Sequence, residues 1–150
     1  METRDYKAFI VVEQSPRTAF EAIQNFRAWW SEEIEGETNK LNEVFVLRYK
    51  DVHLCKVKLI EIVADTKLVY LVVDNYFSFT KDKSEWINTK LIFDISVEGE
   101  MTKVQFMHEG LLPAYECYDI CCNAWGNHIH KSLYNLITIG KGLPNPKEKE

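Results

Sequence analysis

From residue 52 onward, four stretches alternate apolar and polar residues with the period of a β-strand, and a later stretch changes to the three- and four-residue spacing of a helix. Val52 to Val63 and Leu68 to Phe77 read as a hairpin around Ala64-Asp65-Thr66-Lys67. Trp86 to Val97 and Thr102 to Glu109 read as a second pair around Glu98-Gly99-Glu100, and Thr80 to Ser84 as a polar loop between the two. Alternation then assigns faces. In the strand beginning at Trp86, Ile87, Thr89, Leu91, Phe93, Ile95 and Val97 share the side predicted to be buried, and in the last strand Thr102, Val104, Phe106 and His108 do. The helical pattern spans Ala114 to Ile139, with Tyr118, Cys121, Cys122, Trp125, Ile129, Ser132, Leu133, Leu136 and Ile137 on its apolar stripe and Gly140 and Pro144 ending it. Such a helix is roughly 40 Å long, so it must cross several strands. Gly126 in its middle costs about 1 kcal/mol relative to Ala, which predicts a close approach to the helix at that point.

The N-terminal part supplies smaller elements. Tyr6 to Val12 is rich in strand formers. Ser15-Pro16 offers a cap and a first-turn proline to a helix carrying Ala19, Phe20 and Ile23, and after the interruption at Asn25 a short second helix is predicted over Arg27 to Trp30. Two modest strands are expected between Glu33 and Tyr49, on either side of Thr38-Asn39-Lys40. Adjacent tryptophans on one short helix cannot both face one core, so one of Trp29 and Trp30 is expected to pack inward and the other to lie at a pocket mouth or stay partly exposed. Together these elements predict an α+β fold: a curved antiparallel sheet of about six strands wrapped around a long C-terminal helix, with two short helices after the first strand. Residues 1–144 form a single domain in this reading, and 145–150 a flexible charged tail.

Composition narrows the function. The 150 residues are 46% hydrophobic, enough for a sizeable core in one domain. A net charge of -5 without any basic block argues against a nucleic-acid partner. No apolar run reaches the roughly 18 to 20 residues of a membrane span, and the charged N-terminus has no signal core, so a cytoplasmic protein without membrane insertion is expected. Of the four cysteines, Cys117, Cys121 and Cys122 crowd one helix while Cys55 sits on a strand. That spacing is neither a disulfide framework nor a zinc signature, so reduced thiols, no metal and no cofactor are expected.

The order strand, two short helices, six strands and long C-terminal helix resembles the helix-grip fold of the START-related superfamily, which includes the polyketide cyclase/dehydrase and lipid transport type. Ser84-Glu85-Trp86, the run from Thr102 to Leu111, Glu116-Cys117-Tyr118, Trp125, Lys131-Ser132-Leu133 and Gly140-Lys141-Gly142 are more narrowly similar to bacterial homologues of the C-terminal domain of the heat-shock protein 90 ATPase activator. The resemblance covers nearly the whole chain. It implies ligand carriers, cyclases or a contact with the chaperone as functional classes.

The facing surfaces of helix and sheet predict a cavity lined by Trp30, Tyr70, Thr89, Leu91, Phe93, Val104, Phe106, His108, Tyr118, Trp125 and Ile129. Thr89, His108, Tyr70 and Ser132 add polar groups to apolar walls, the mixture typical of a small-molecule site. The leading expectation is a non-catalytic, monomeric binder of an apolar small molecule that is lipid-, sterol- or polyketide-like. A cyclase-type enzyme would use His108, Tyr70 or Asp74 to move protons in the same cavity. His108 and Glu109 are strand neighbours on opposite faces and cannot pair with each other. A chaperone-associated interaction domain is the third class, and Lys56, Lys58, Lys90 and Lys103 alternate outward on the face it would use.

Overall fold

A computed structural model of the chain describes residues 6–49, 53–77, 86–110 and 118–144. The elements are β1 (Tyr6–Val12), α1 (Pro16–Gln24), α2 (Phe26–Trp29), β2 (Ile34–Glu35), β3 (Val44–Tyr49), β4 (His53–Val63), β5 (Lys67–Phe77), β6 (Lys90–Glu98) and β7 (Met101–Glu109), followed by α3 (Tyr118–Asn127), a π-helical segment (His128–Leu133) and α4 (Tyr134–Ile139). The polar loop expected at Thr80 to Ser84, the first turn of the helix from Ala114 with Cys117, and the tail 145–150 lie outside the described residues.

All strands join one antiparallel sheet in the order β1-β7-β6-β5-β4-β3-β2, so the architecture is the α+β helix-grip arrangement. The sheet has seven strands, against about six expected; the two strands anticipated between Glu33 and Tyr49 are β2 and β3, and β2 is only two residues long. Ser15 caps α1 by accepting from the Thr18 amide, Pro16 takes the first turn, and Ala19, Phe20 and Ile23 are the buried positions. Gly99, at φ +61°, closes the turn between β6 and β7.

The strand expected to begin at Trp86 begins instead at Lys90. Residues 86–88 form a turn in which Asn88 has φ +70°, and Asn88 N–H donates to Val72 while Thr89 N–H donates back to Trp86. That turn drives the Trp86 side chain into the interior. At the other end of the strand Val97 is 63% exposed, because the hairpin overhangs the core there.

Both Trp29 and Trp30 are buried, correcting the expectation that one would be displaced outward. A single-turn helix wedged between sheet and C-terminal helix has neighbours on both sides. Trp29 stands edge-on to Phe93 on the sheet and donates its indole N–H to the Ile23 carbonyl, while Trp30 packs on Trp125 of α3 with ring centres 4.8 Å apart.

The segments α3, π and α4 form one continuous C-terminal helix over 118–139. Cys121, Trp125, Ile129, Leu133 and Ile137 are buried, at steps of four. In a pure α-helix each such step overshoots by about 40°, and the wider turns of the π segment take back part of this drift. The Tyr134 amide accordingly bonds to Ile129 five residues earlier. Ser132, inside the segment, donates to the Trp29 carbonyl and accepts from the Leu143 amide, tying α2 and the chain after the helix to one hydroxyl. Gly126 answers to no tight approach: an added Cβ would meet only the Tyr6 hydroxyl, at 3.9 Å. The crowded glycine is Gly142, where a Cβ would overlap the Ala28 carbonyl oxygen.

Candidate functional site

The inward faces of β6, up to Ile95, and of β7 follow the burial that alternation assigns, and the C-terminal helix lies across them. Tyr70, Thr89, Leu91, Phe93, Val104, Phe106, His108, Trp125, Ile129 and Trp30 are all buried. The side chain of Tyr118 lies outside the described residues.

The middle of this interior is filled by rings touching rings. Phe106 meets Trp125 at 4.5 Å between centres and Phe93 at 5.0 Å, while Phe26 meets Tyr70 at 4.9 Å and Phe45 at 5.2 Å. The polar groups expected among them are bound to the protein itself. Tyr70 donates its hydroxyl to the Thr38 carbonyl at 3.1 Å, and burial pushes its phenol up, so it stays protonated. Trp125 donates its indole N–H to His108 Nδ1 at 3.0 Å, which leaves the imidazole proton on Nε2. Nε2 donates to Thr89 Oγ1 at 2.8 Å, and the Thr89 hydroxyl passes its own proton toward the Trp86 carbonyl. Burial holds His108 neutral, its pKa pushed down to about 3, with His53 a smaller cause.

One end of the interior is different. There the start of β4, the end of β5, the start of β6 and the end of β7 come together, and Trp86 stands between two imidazoles, its ring 5.0 Å from His53 and 4.6 Å from His108 and edge-on to both. Trp86 also stacks on Trp125, the planes 9° apart at 5.9 Å. His53 Nε2 and Asn75 Oδ1 are 2.7 Å apart. With the proton on Nε2, that bond leaves the Asn75 Nδ2 group as a donor, and it finds no acceptor among the described residues although Asn75 is only 5% exposed. Burial lowers His53 to about 4 despite the opposing effect of Asn75, and lowers His128, whose ring packs 6.0 Å from Trp30 and from Trp125, to about 4.

Cys55, beside Asn75 in the strand register, is fully buried. Burial first and Asp74 second push its thiol up, so it is an unreactive core thiol. Cys121 is buried and Cys122 half-buried on the C-terminal helix. No three metal-binding side chains among the described residues are placed to share an ion.

His53, Asn75 and Trp86 are not among the lining residues expected from sequence. Two of them are displaced by local irregularities. The β4–β5 register slips between Lys56↔Asp74 and Val57↔Val72, leaving Val73 as an extra residue. Beyond it the parity of β5 reverses, which turns Asn75 inward and Asp74, a candidate proton carrier, out to solvent. Trp86 enters through the turn ahead of β6. The signal for His53 was available, since His53, Cys55, Val57 and Leu59 alternate.

A groove of about 430 Å³ lies on the outer face of the sheet, bordered by Lys7, Phe9, Asp94 and Lys103. Lys103 lies over the Phe9 ring at 4.7 Å and 3.6 Å from Glu98, so its charge already has partners there.

Solved structures share the fold. The Aha1 dimer from Colwellia psychrerythraea superposes with a TM-score of 0.75 and 17% identity, over 93% of this chain and all of that one. DynU16, from the dynemicin biosynthetic locus, gives 0.69 at 10% identity over 94% of this chain, which spans 49% of DynU16. Protein MLL2253 from Mesorhizobium loti gives 0.66 at 11% identity over 81% of this chain and 88% of its own. No protein-family model and no curated protein sequence matches the chain. At these identities the shared property is the START-like helix-grip fold. No helix among the described residues is long and apolar enough to cross a membrane.

Proposed function

We propose that this chain is a non-catalytic binding protein for an apolar small molecule bearing a polar group, held between the C-terminal helix and the sheet at the end bounded by His53, Asn75 and Trp86. The unmet Asn75 amide carries this reading. Leaving such a donor buried costs about 1–3 kcal/mol, which an apolar residue of the same shape would avoid and a ligand's acceptor would recover. Beside it, the Trp86 ring packs on His53 and on Trp125, and a ligand's apolar body seated against that ring would leave water at roughly 25 cal/mol per Å². The same geometry disfavours the cyclase reading. Both nitrogens of His108 are hydrogen-bonded, the Tyr70 hydroxyl is bound to the backbone, and Asp74 is exposed. The free, buried thiol Cys55 suits a reducing compartment such as the cytoplasm.

The test is native mass spectrometry of protein purified without denaturation, followed by tryptophan-fluorescence titration with lipids, sterols and aromatic polyketides. Binding by the wild type, weakened in Asn75→Leu and unchanged in the outer-face variant Lys103→Ala, is expected. A folded protein that binds none of the panel sinks the reading.

One observation favours a second reading, contact with the heat-shock protein 90 chaperone: the superposition on the Aha1 dimer spans 93% of this chain and all of that one. Co-purification with the bacterial chaperone at stoichiometric yield, undisturbed by Asn75→Leu, would favour this reading over the first.

A further inference from the structure

Resting on the binding reading above, we infer that the group recognised beside His53 and Asn75 is a neutral acceptor oxygen, such as a ketone or amide carbonyl, and that carboxylates and amines are discriminated against. Donor direction comes first. With Asn75 Oδ1 engaged by His53 at 2.7 Å, what remains for a ligand is the Nδ2 group, which has protons to give and no lone pair to offer. An ammonium or amine N–H arriving there meets a second donor. An oxygen lone pair meets its complement.

Charge decides between a carbonyl and a carboxylate. The buried polar set among the described residues consists of Ser31, Thr38, His53, Asn75, Thr89, Thr102, His108 and Ser132, with no Lys, Arg, Asp or Glu. The strand lysines nearest in register, Lys56 and Lys58, stand on the opposite face, and the closest acidic group along the chain is Asp74, next to Asn75, whose charge already reaches Cys55. From every described element packed here the titratable groups are His53 and Cys55 of β4, His108 of β7 and His128 of the π segment. None is charged at neutral pH, because burial lowers the three histidines, which stay neutral imidazoles, and raises the thiol, which stays protonated. A carboxylate would therefore lose its hydration with one amide N–H as recompense, whereas a carbonyl gives up little and gains a full hydrogen bond.

Three probes with one naphthalene body separate these possibilities: 2-acetonaphthone, 2-naphthoate and 2-naphthylmethylamine, titrated into the full chain at pH 7.5 by ¹H–¹⁵N NMR. The ketone is expected to bind at least about tenfold more tightly than the other two, to move the Asn75 side-chain amide resonances, and to lose its advantage to within about twofold in Asn75→Leu. Should Asn75→Leu not fold, the wild-type Asn75 amide shifts decide the matter alone. Equal binding of ketone and naphthoate, or ketone binding without movement of the Asn75 amide, overturns this inference while leaving the binding reading standing. Failure of all three probes to bind overturns both.

Discussion

At His108 both ring nitrogens are occupied, one accepting from Trp125 and the other donating to Thr89, so the residue works as a hydrogen-bonded junction between β7, the chain just ahead of β6 and the C-terminal helix. Its removal leaves a buried indole N–H without an acceptor and Thr89 without its donor. His108→Leu should therefore cost about 2–4 kcal/mol in urea denaturation. His108→Gln, whose amide can both accept and donate, should cost about half of that or less. Equal losses in the two variants would mean that shape, and not the bond chain, holds the site. Alternation along Thr102, Val104, Phe106 and His108 was enough to place this histidine inside. Its partners were not legible, because they come from residues 17 and 19 positions away on other elements. Asn75 was hidden for a different reason: one inserted residue at Val73 reverses the parity of β5, and a bulge leaves no mark in a hydropathy pattern.

Among the elements, the C-terminal helix shows how a correct period can conceal a local departure. The stripe of Cys121, Trp125, Ile129, Leu133 and Ile137 predicts the face that packs on the sheet, yet its unbroken steps of four also mark a helix that must widen somewhere, as it does at His128–Leu133. Glycine content misled at this scale. Gly126 sits mid-helix with open space around its Cα, so Gly126→Ala should stabilise the fold by up to about 1 kcal/mol through helix propensity and a less flexible unfolded chain. Gly142 lies against the Ala28 and Ser132 carbonyls at the point where Ser132 ties α2 to the chain after the helix. Gly142→Ala forces backbone apart there and should cost about 1–3 kcal/mol. Paired denaturation curves check both signs, and a stabilising Gly142→Ala would contradict the packing described for this strap.

For the molecule as a whole, burying three neutral histidines links stability to pH. His53, His108 and His128 have an ordinary value of 6.5 but titrate near 4, 3 and 4 in the folded state. Below about pH 6.5 the unfolded chain takes up protons that the folded one refuses. Stability is therefore level above that pH and falls as the pH drops from about 6.5 to about 4, by up to about 1.4 kcal/mol per pH unit for each histidine and about 4 for all three. A domain holding roughly 5–15 kcal/mol in total cannot sustain that slope for long, so acid unfolding is expected with a midpoint near pH 5. The exposed ion pair Arg17–Asp65 and the partly exposed Lys67–Glu61 add little to this dependence. Urea denaturation at pH 7.5, 6.5, 5.5 and 4.5 checks the curve, and His108→Gln should flatten its acid limb by about a third because one proton is removed from the balance. A curve level from 6.5 to 5 would mean that the imidazoles are not held neutral. The proposed ligand enters the same balance, since it binds the folded chain and not the unfolded one. Saturating 2-acetonaphthone should accordingly move the acid midpoint to lower pH in the wild type and leave it in place in Asn75→Leu.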